Sequence, residues 1–185
     1  MKRIGVVIFA LVALAQLSVP GWAAWMRTQT LQKGKLWKFR IAPVDPIDAV
    51  RGRYITLSFP AEQVPRSEPM HLETPAFAYL KEDSRGFAEI DHLSTTEELN
   101  DSVIKVMPQG WWNNVQRVKF PFERLWLPED LAPAADRVYG QSSRQQKDNV
   151  YVTVRVHNGD AALDQLFIDD QSLAQYLRGH RPPER

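Results

Sequence analysis

The chain has 185 residues, of which 44% are hydrophobic and 24% are charged, with 23 basic side chains against 22 acidic ones. This length suits one domain of ordinary size, and the balanced charge excludes a general polyanion-binding surface, so nucleic acid is not an expected partner. The absence of cysteine excludes disulfides, thiolate nucleophiles and cysteine-based zinc sites.

An uncharged segment, residues 4–26, follows two basic residues and is long enough to cross a membrane as a helix. A cleaved signal peptide is the alternative, because Ala13-Leu14-Ala15 has the small-x-small form that signal peptidase prefers. Trp22 and Trp25 favour an anchor, since tryptophan is typical of the interfacial end of a span. We therefore predict that residues 1–26 form a membrane anchor or an uncleaved signal.

The charges around this segment do not agree on its orientation. Lys2 and Arg3 favour a cytoplasmic N-terminus, but five basic residues lie close behind the span: Arg27, Lys33, Lys35, Lys38 and Arg40. Charge counting alone therefore leaves open which side of the membrane holds the rest of the chain. No other stretch is long and apolar enough to span a membrane, so residues 27–185 are expected to form one soluble domain.

The first part of this domain alternates apolar and polar residues, which predicts half-buried strands at residues 36–41 and 54–59. Between them, prolines at residues 43–46 predict a short helical turn that ends at Gly52. Residues 61–75 contain three prolines and show little periodicity, so they are predicted to be a loop.

The middle of the domain contains signals for hairpins. Residues 77–80 and 87–90 flank a charged turn that ends in glycine, which predicts a hairpin. Ser94 is expected to open a helical turn through a capping box. Residues 103–106 and 115–120 are predicted strands joined across Pro108-Gln109-Gly110.

The last third of the chain begins with a predicted short helix and a loose connection within residues 127–147. Strict alternation over residues 150–156, followed by Asn158-Gly159, then predicts a tight hairpin whose return strand is residues 161–168. A final short helix, capped by Ser172 and ending at Gly179, is expected to bury Leu173, Tyr176 and Leu177. The predicted fold class is mainly β with minor α: one antiparallel domain preceded by one N-terminal transmembrane helix.

Residues 52–59, Gly-Arg-Tyr-Ile-Thr-Leu-Ser-Phe, resemble the motif Gly-Asp-Tyr-x-x-Leu-x-Tyr of the GDYXXLXY proteins. Arg53 and Phe59 stand where that motif has aspartate and its final tyrosine, so no acid, base or metal-ligand role can be carried over for the aspartate. Residues 126–129, Trp-Leu-Pro-Glu, are similar to the family's aromatic-x-Pro-Glu segment, and residues 152–169 resemble its closing strand pair.

This resemblance implies a bacterial, membrane-associated protein from a family without an established activity, often found beside multi-pass membrane proteins. It implies structural roles for the matching residues, which are Gly52, Tyr54, Leu57, Pro128 and Glu129. The expected location is the bacterial inner membrane, with a single span and the domain in the periplasm.

The residue types that usually act in catalysis or metal binding are dispersed along the sequence. The four histidines, His71, His92, His157 and His180, have no paired spacing, so neither a metal nor a cofactor is expected. The adjacent carboxylates Asp169-Asp170 and Glu129-Asp130 are expected to cap helices or face solvent. The enzymatic alternative is a membrane-anchored hydrolase distantly like signal peptidases, with Ser67 and Lys81 as its serine and lysine, although neither residue lies in a matching motif.

Aromatic side chains are dense between residues 111 and 126. Core packing would account for them, but those left exposed would form an interaction surface, for which Trp111, Trp112 and Trp126 are the candidates. We therefore predict an accessory or binding protein of the bacterial envelope that acts through contact with a membrane-protein partner, rather than an enzyme.

Overall fold

The structure is a computed structural model that describes residues 2–42, 54–71, 73–126 and 150–179. The described residues form two α-helices, one short 3₁₀ helix and eleven strands. In chain order these are α1 (Lys2–Lys33), β1 (Lys35–Arg40), β2 (Tyr54–Thr56), the 3₁₀ helix (Pro60–Glu62), β3 (Gln63–Pro65), β4 (Ala76–Glu82), β5 (Ala88–Ser94), β6 (Val103–Trp112), β7 (Val115–Lys119), β8 (Arg124–Trp126), β9 (Val150–His157), β10 (Asp160–Ile168), β11 (Gln171–Ser172) and α2 (Leu173–Gly179).

The strands of the described residues pair into antiparallel sheets. One sheet has the order β1-β9-β10-β11, a second has the order β3-β7-β6-β4-β5, and β2 pairs with β8. The two larger sheets meet at Gly159, which forms a parallel bridge with Ile104 and accepts a hydrogen bond of 3.0 Å from the Lys105 N–H. The predicted fold class, mainly β with minor helix, is confirmed.

The core collects the inward-facing side chains of both sheets. Alternate residues of β9 (Val152, Val154 and Val156) are fully buried, as the period-2 pattern requires. A cluster of four phenylalanines extends this core, with ring centroids 4.9–6.0 Å apart: Phe39, Phe59, Phe120 and Phe122. Burial of each such ring stabilises the fold by roughly 1.5–3 kcal/mol.

Three local predictions are confirmed in detail. The hairpin β4–β5 encloses the charged turn, where Asp83 accepts hydrogen bonds from the N–H groups of Arg85 and Phe87. The hairpin β9–β10 turns at Asn158 and Gly159, both with positive φ. At α2, Ser172 and Gln175 exchange side-chain to main-chain hydrogen bonds of 3.4 and 3.2 Å, which cap the helix.

Other local predictions are wrong. The segment Pro108-Gln109-Gly110 is no turn: β6 continues through it with an irregularity in register, and the chain reverses at Asn113 and Asn114, which both have positive φ. Pro108 is tolerated inside β6 because the ladder to β4 already ends at Val106. Ser94 opens no helix: its hydroxyl accepts the Thr96 N–H at 2.9 Å, but the residues that follow form bends rather than a helical turn.

Two strand boundaries also differ from the prediction. Residues 61–75, predicted to be a loop, contain part of the 3₁₀ helix and the strand β3, which lies at the edge of its sheet and so tolerates Pro65. The strand predicted at residues 54–59 ends at Thr56, although Leu57 and Phe59 are buried as expected. The turn predicted at residues 43–46, Gly52, and the helix predicted within residues 127–147 lie outside the described residues.

A single residue, Gly34, separates α1 from β1. Its N–H donates to the Thr30 carbonyl at 3.0 Å, and its own carbonyl accepts a hydrogen bond of 3.1 Å from Arg155 on β9. A Cβ at this position would lie 2.5 Å from the Thr30 carbonyl oxygen and 2.9 Å from that of Val156. Only glycine lets the helix and the sheet approach this closely.

Candidate functional site

The two segments that resemble family motifs are neighbours in the fold. Strand β2, which begins at Tyr54, pairs with β8 in the register Tyr54 to Trp126, and the Leu57 N–H donates to the Glu123 carbonyl at 2.7 Å. Leu57 and Phe59 are buried in the core. Phe59 packs among other phenylalanines, so the position of the motif's final tyrosine is a core position that needs no hydroxyl. Gly52, Arg53, Pro128 and Glu129 lie outside the described residues.

A groove runs between the end of α1 and the domain, and we call it the α1 groove. It consists of two adjoining cavities of about 620 and 360 Å³ that share four lining residues, Arg27, Pro121, Ala161 and Ala162. The larger cavity is lined mainly by apolar groups of α1, β6 and β10, together with Lys105 and Asp160. Trp126 lines the smaller one. The α1 groove is therefore a concave surface beside the most apolar element of the chain.

The three candidate interface tryptophans are exposed but do not line one surface. Trp112 is 77% exposed and Trp126 is 62% exposed. Trp111 is 37% exposed, and its indole N–H donates to the Arg66 carbonyl at 3.2 Å. Trp111 and Trp112 lie at the end of β6 before the turn, whereas Trp126 lies beside the α1 groove. The structure thus offers two aromatic surfaces, one of them next to the base of α1.

A separate, more polar cavity of about 400 Å³ is lined in part by residues 57–59, the end of the family motif. Its acidic residue Glu62 is half-buried, and its two carboxylate oxygens accept hydrogen bonds from the main-chain N–H groups of Phe59 at 3.4 Å and Phe120 at 3.1 Å. Burial raises the pKa of Glu62 above its ordinary value. Both oxygens are thus occupied in holding the motif segment to the segment after β7, which is a structural role.

The residues considered for catalysis do not form a site. Lys81 pairs with Asp91 at 2.9 Å, and this hydrogen bond raises the pKa of Lys81, whereas a lysine that activates a serine needs a lowered pKa. Ser67 is exposed beyond the end of β3. Among the described residues, no hydrogen bond joins the serine and the lysine of the hydrolase alternative.

The histidines remain apart. His92 contacts Asp91 at 2.9 Å and stacks on Tyr79, while His157 contacts Asp101 at 3.0 Å. His71 is exposed and His180 lies outside the described residues. Across the part of the chain that the structure describes, no three histidine, aspartate or glutamate side chains are grouped to hold a metal ion.

The sequence patterns did not identify the residues that build these cavities. Arg27 and Lys105 lie 78 positions apart, yet both line the α1 groove. Glu62 falls within residues 61–75, which the sequence predicts to be a loop. Residues 23, 26, 27 and 30 share one face of α1, and all four line the groove. This spacing alone does not predict a site, because the part of the domain that faces it is not known from the sequence.

Together these features define a β-rich domain that follows a helix long and apolar enough to cross a membrane, Ile4–Lys33, whose apolar window is not buried by the domain. The chain belongs to the GDYXXLXY family, since the family model described as GDYXXLXY protein matches residues 16–166, from the middle of α1 into β10. No curated protein and no solved structure matches the chain.

Proposed function

We propose that this chain is a single-pass protein of the bacterial inner membrane, anchored by residues 1–26, whose domain of residues 27–185 lies in the periplasm and binds a membrane-protein partner. The proposal needs no cofactor, metal or catalytic residue. The uncharged part of α1 is about 35 Å long at 1.5 Å per residue, which is sufficient for a hydrocarbon core of about 30 Å. Trp22 and Trp25, both exposed, are near the end of that part, as membrane-interface tryptophans are.

The observation that carries the binding role is the exposure of Trp126 beside the base of α1. A large aromatic side chain exposed on a folded domain is the residue type that protein interfaces use most as an anchor. Trp126 lies at the smaller cavity of the α1 groove, next to α1, so a partner in the same membrane can reach this tryptophan. The end of β6, with Trp112, is the second aromatic surface.

The test is crosslinking of the tagged full-length chain in native membranes, followed by purification and identification of the proteins that remain attached. We expect Trp126→Ala to weaken the complex by about 2 kcal/mol or more, which is roughly a thirtyfold loss of affinity. The same substitution at Trp112 shows which aromatic surface the partner contacts. Both variants should keep the melting temperature of the wild-type chain, because these side chains are largely exposed.

His92→Ala is the matched control, since His92 is also an exposed ring that lies outside both aromatic surfaces. It should leave the complex intact. A histidine substitution that abolishes the cellular phenotype while stability and partner binding survive would contradict the binding role and point to a catalytic or metal site.

A further inference from the structure

We propose that the α1 groove binds an anionic phospholipid, with the headgroup between Arg27 and Lys105 and an acyl chain against the apolar wall. This inference rests on the proposed membrane anchoring and adds a ligand to it. It is carried by the depth at which the groove lies, by the chemistry of its walls and by its unpaired cations.

The depth follows from the position of Arg27. The preceding residues 4–26 carry no charge, so Arg27 is the first charged side chain after the span. If that part fills the hydrocarbon core, Arg27 lies at the level of the lipid phosphates, where long basic side chains of membrane proteins place their charge. Met26, the preceding residue, and Ala23, about one helical turn closer to the membrane centre, line the same groove. The groove therefore extends from headgroup depth toward the acyl chains.

The walls of the groove match the two parts of a phospholipid. Met26, Met107 and Pro121 belong to a lining that is mostly apolar, and Met107 is an exposed methionine of the kind that adapts to flexible ligands. An acyl chain can occupy such a surface without leaving a polar group unpaired.

The cations supply the charge complementarity. Arg27 and Lys105 are both exposed, and neither has an ion pair with any described residue. The Lys105 ammonium lies over the ring of Phe77, whose centre is 5.9 Å away, and donates no hydrogen bond to a described residue, so its N–H donors are available. Across both cavities the lining contains three basic side chains, Arg27, Lys105 and Arg124, and two carboxylates, Asp160 and Glu123, which leaves an excess of one positive charge for an anion.

The experiment measures the phospholipids that remain bound to the detergent-purified full-length chain, by native mass spectrometry, after exchange into mixed micelles of phosphatidylglycerol and phosphatidylcholine. We expect the wild-type chain to retain phosphatidylglycerol preferentially. Arg27→Gln and Lys105→Gln should each lower the affinity about fivefold, the effect of one basic residue at an anionic surface. Arg117→Gln is the matched control, because Arg117 is likewise exposed and without an ion pair among the described residues, but lines a different cavity.

Equal retention of both lipids by the wild-type chain, or undiminished retention by the double variant of Arg27 and Lys105, would overturn the proposal. A photo-crosslinking residue at Met107 gives a direct second readout, and we expect a phospholipid adduct there and none at Ser84 in the turn between β4 and β5. An adduct with a protein at Met107 would show that a polypeptide occupies the groove instead.

Extraction of native membranes with alkaline carbonate separates this inference from the proposed anchoring. Release of the chain into the supernatant would refute the anchor and the lipid site together. A chain that stays in the membrane but shows no lipid preference would refute the lipid site alone.

Discussion

The side-chain amide of Gln116 is fully buried on β7 and makes three hydrogen bonds to main-chain groups. Its oxygen accepts the Met70 N–H at 2.9 Å, and its nitrogen donates to the carbonyls of Gly110 at 3.2 Å and Arg117 at 3.0 Å. These contacts lie where the pairing of β6 with β7 shifts register. One amide thus replaces part of the ladder that the irregularity interrupts.

Gln116→Leu should lower the free energy of unfolding by about 1–3 kcal/mol, because the buried Met70 N–H loses its acceptor while the packing volume is nearly kept. Thermal unfolding of the full-length chain in detergent measures this loss. Gln109→Leu, at an exposed position of β6, is the control and should change stability by no more than about 0.5 kcal/mol. If both variants melt with the wild-type chain, the hydrogen bonds of Gln116 contribute nothing to the fold.

A strand or turn could be predicted from the sequence when the residues that specify it lie close together in the chain. The hairpin β9–β10 could be predicted because alternation and Asn158-Gly159 specify it within twenty residues. The sequence predicts the turn after β6 too early, because Pro108 and Gly110 are typical turn residues. The actual turn, at Asn113 and Asn114, contains no glycine.

The remaining features could not be predicted because they depend on contacts between residues that are far apart in the sequence. The pairing of β2 with β8 joins positions about 70 residues apart, and periodicity within either strand carries no information about its partner. The same holds for the candidate site. The sequence predicts the three candidate tryptophans, but not which of them lies beside Arg27. That depends on how the sheets assemble: Trp126 lines the same cavity as Arg27, and Trp112 does not.

The junction between α1 and β1 gives a prediction at this scale. Gly34→Ala should destabilise the domain by about 1–3 kcal/mol or force α1 away from β9, because a Cβ would meet two main-chain carbonyl oxygens that cannot rotate aside. Thermal unfolding measures the first effect. The second is measured by the distance between spin labels on α1 and on the β4–β5 turn, since the chain has no native cysteine to interfere.

Gly110→Ala is the control for this junction, as a Cβ at Gly110 would meet no atom within 4 Å. It should keep both the stability and the distance between labels. Wild-type values for Gly34→Ala in both measurements would mean that the helix is not held against the sheet by the close approach at Gly34.

The proposed membrane topology can be tested by labelling single introduced cysteines, because the chain has no cysteine of its own. A single cysteine introduced as Ser84→Cys, an exposed position in the β4–β5 turn, should react with a membrane-impermeant maleimide in spheroplasts with an intact inner membrane. Lys2→Cys should react only after the inner membrane is permeabilised. The opposite pattern would place the domain in the cytoplasm, as the basic residues behind the span would favour.

The single-residue junction at Gly34 also affects how a partner would be found. A domain joined to a membrane span by a long flexible linker could reach away from the membrane and turn freely, whereas with α1 as the span the junction at Gly34 would hold this domain at one height and in one orientation. For an anchored chain, the search for a partner is then a two-dimensional diffusion in the bilayer, with part of the translational and rotational entropy of association already lost. A contact smaller than the roughly 1,600 Å² typical of soluble complexes would suffice to hold such a pair together.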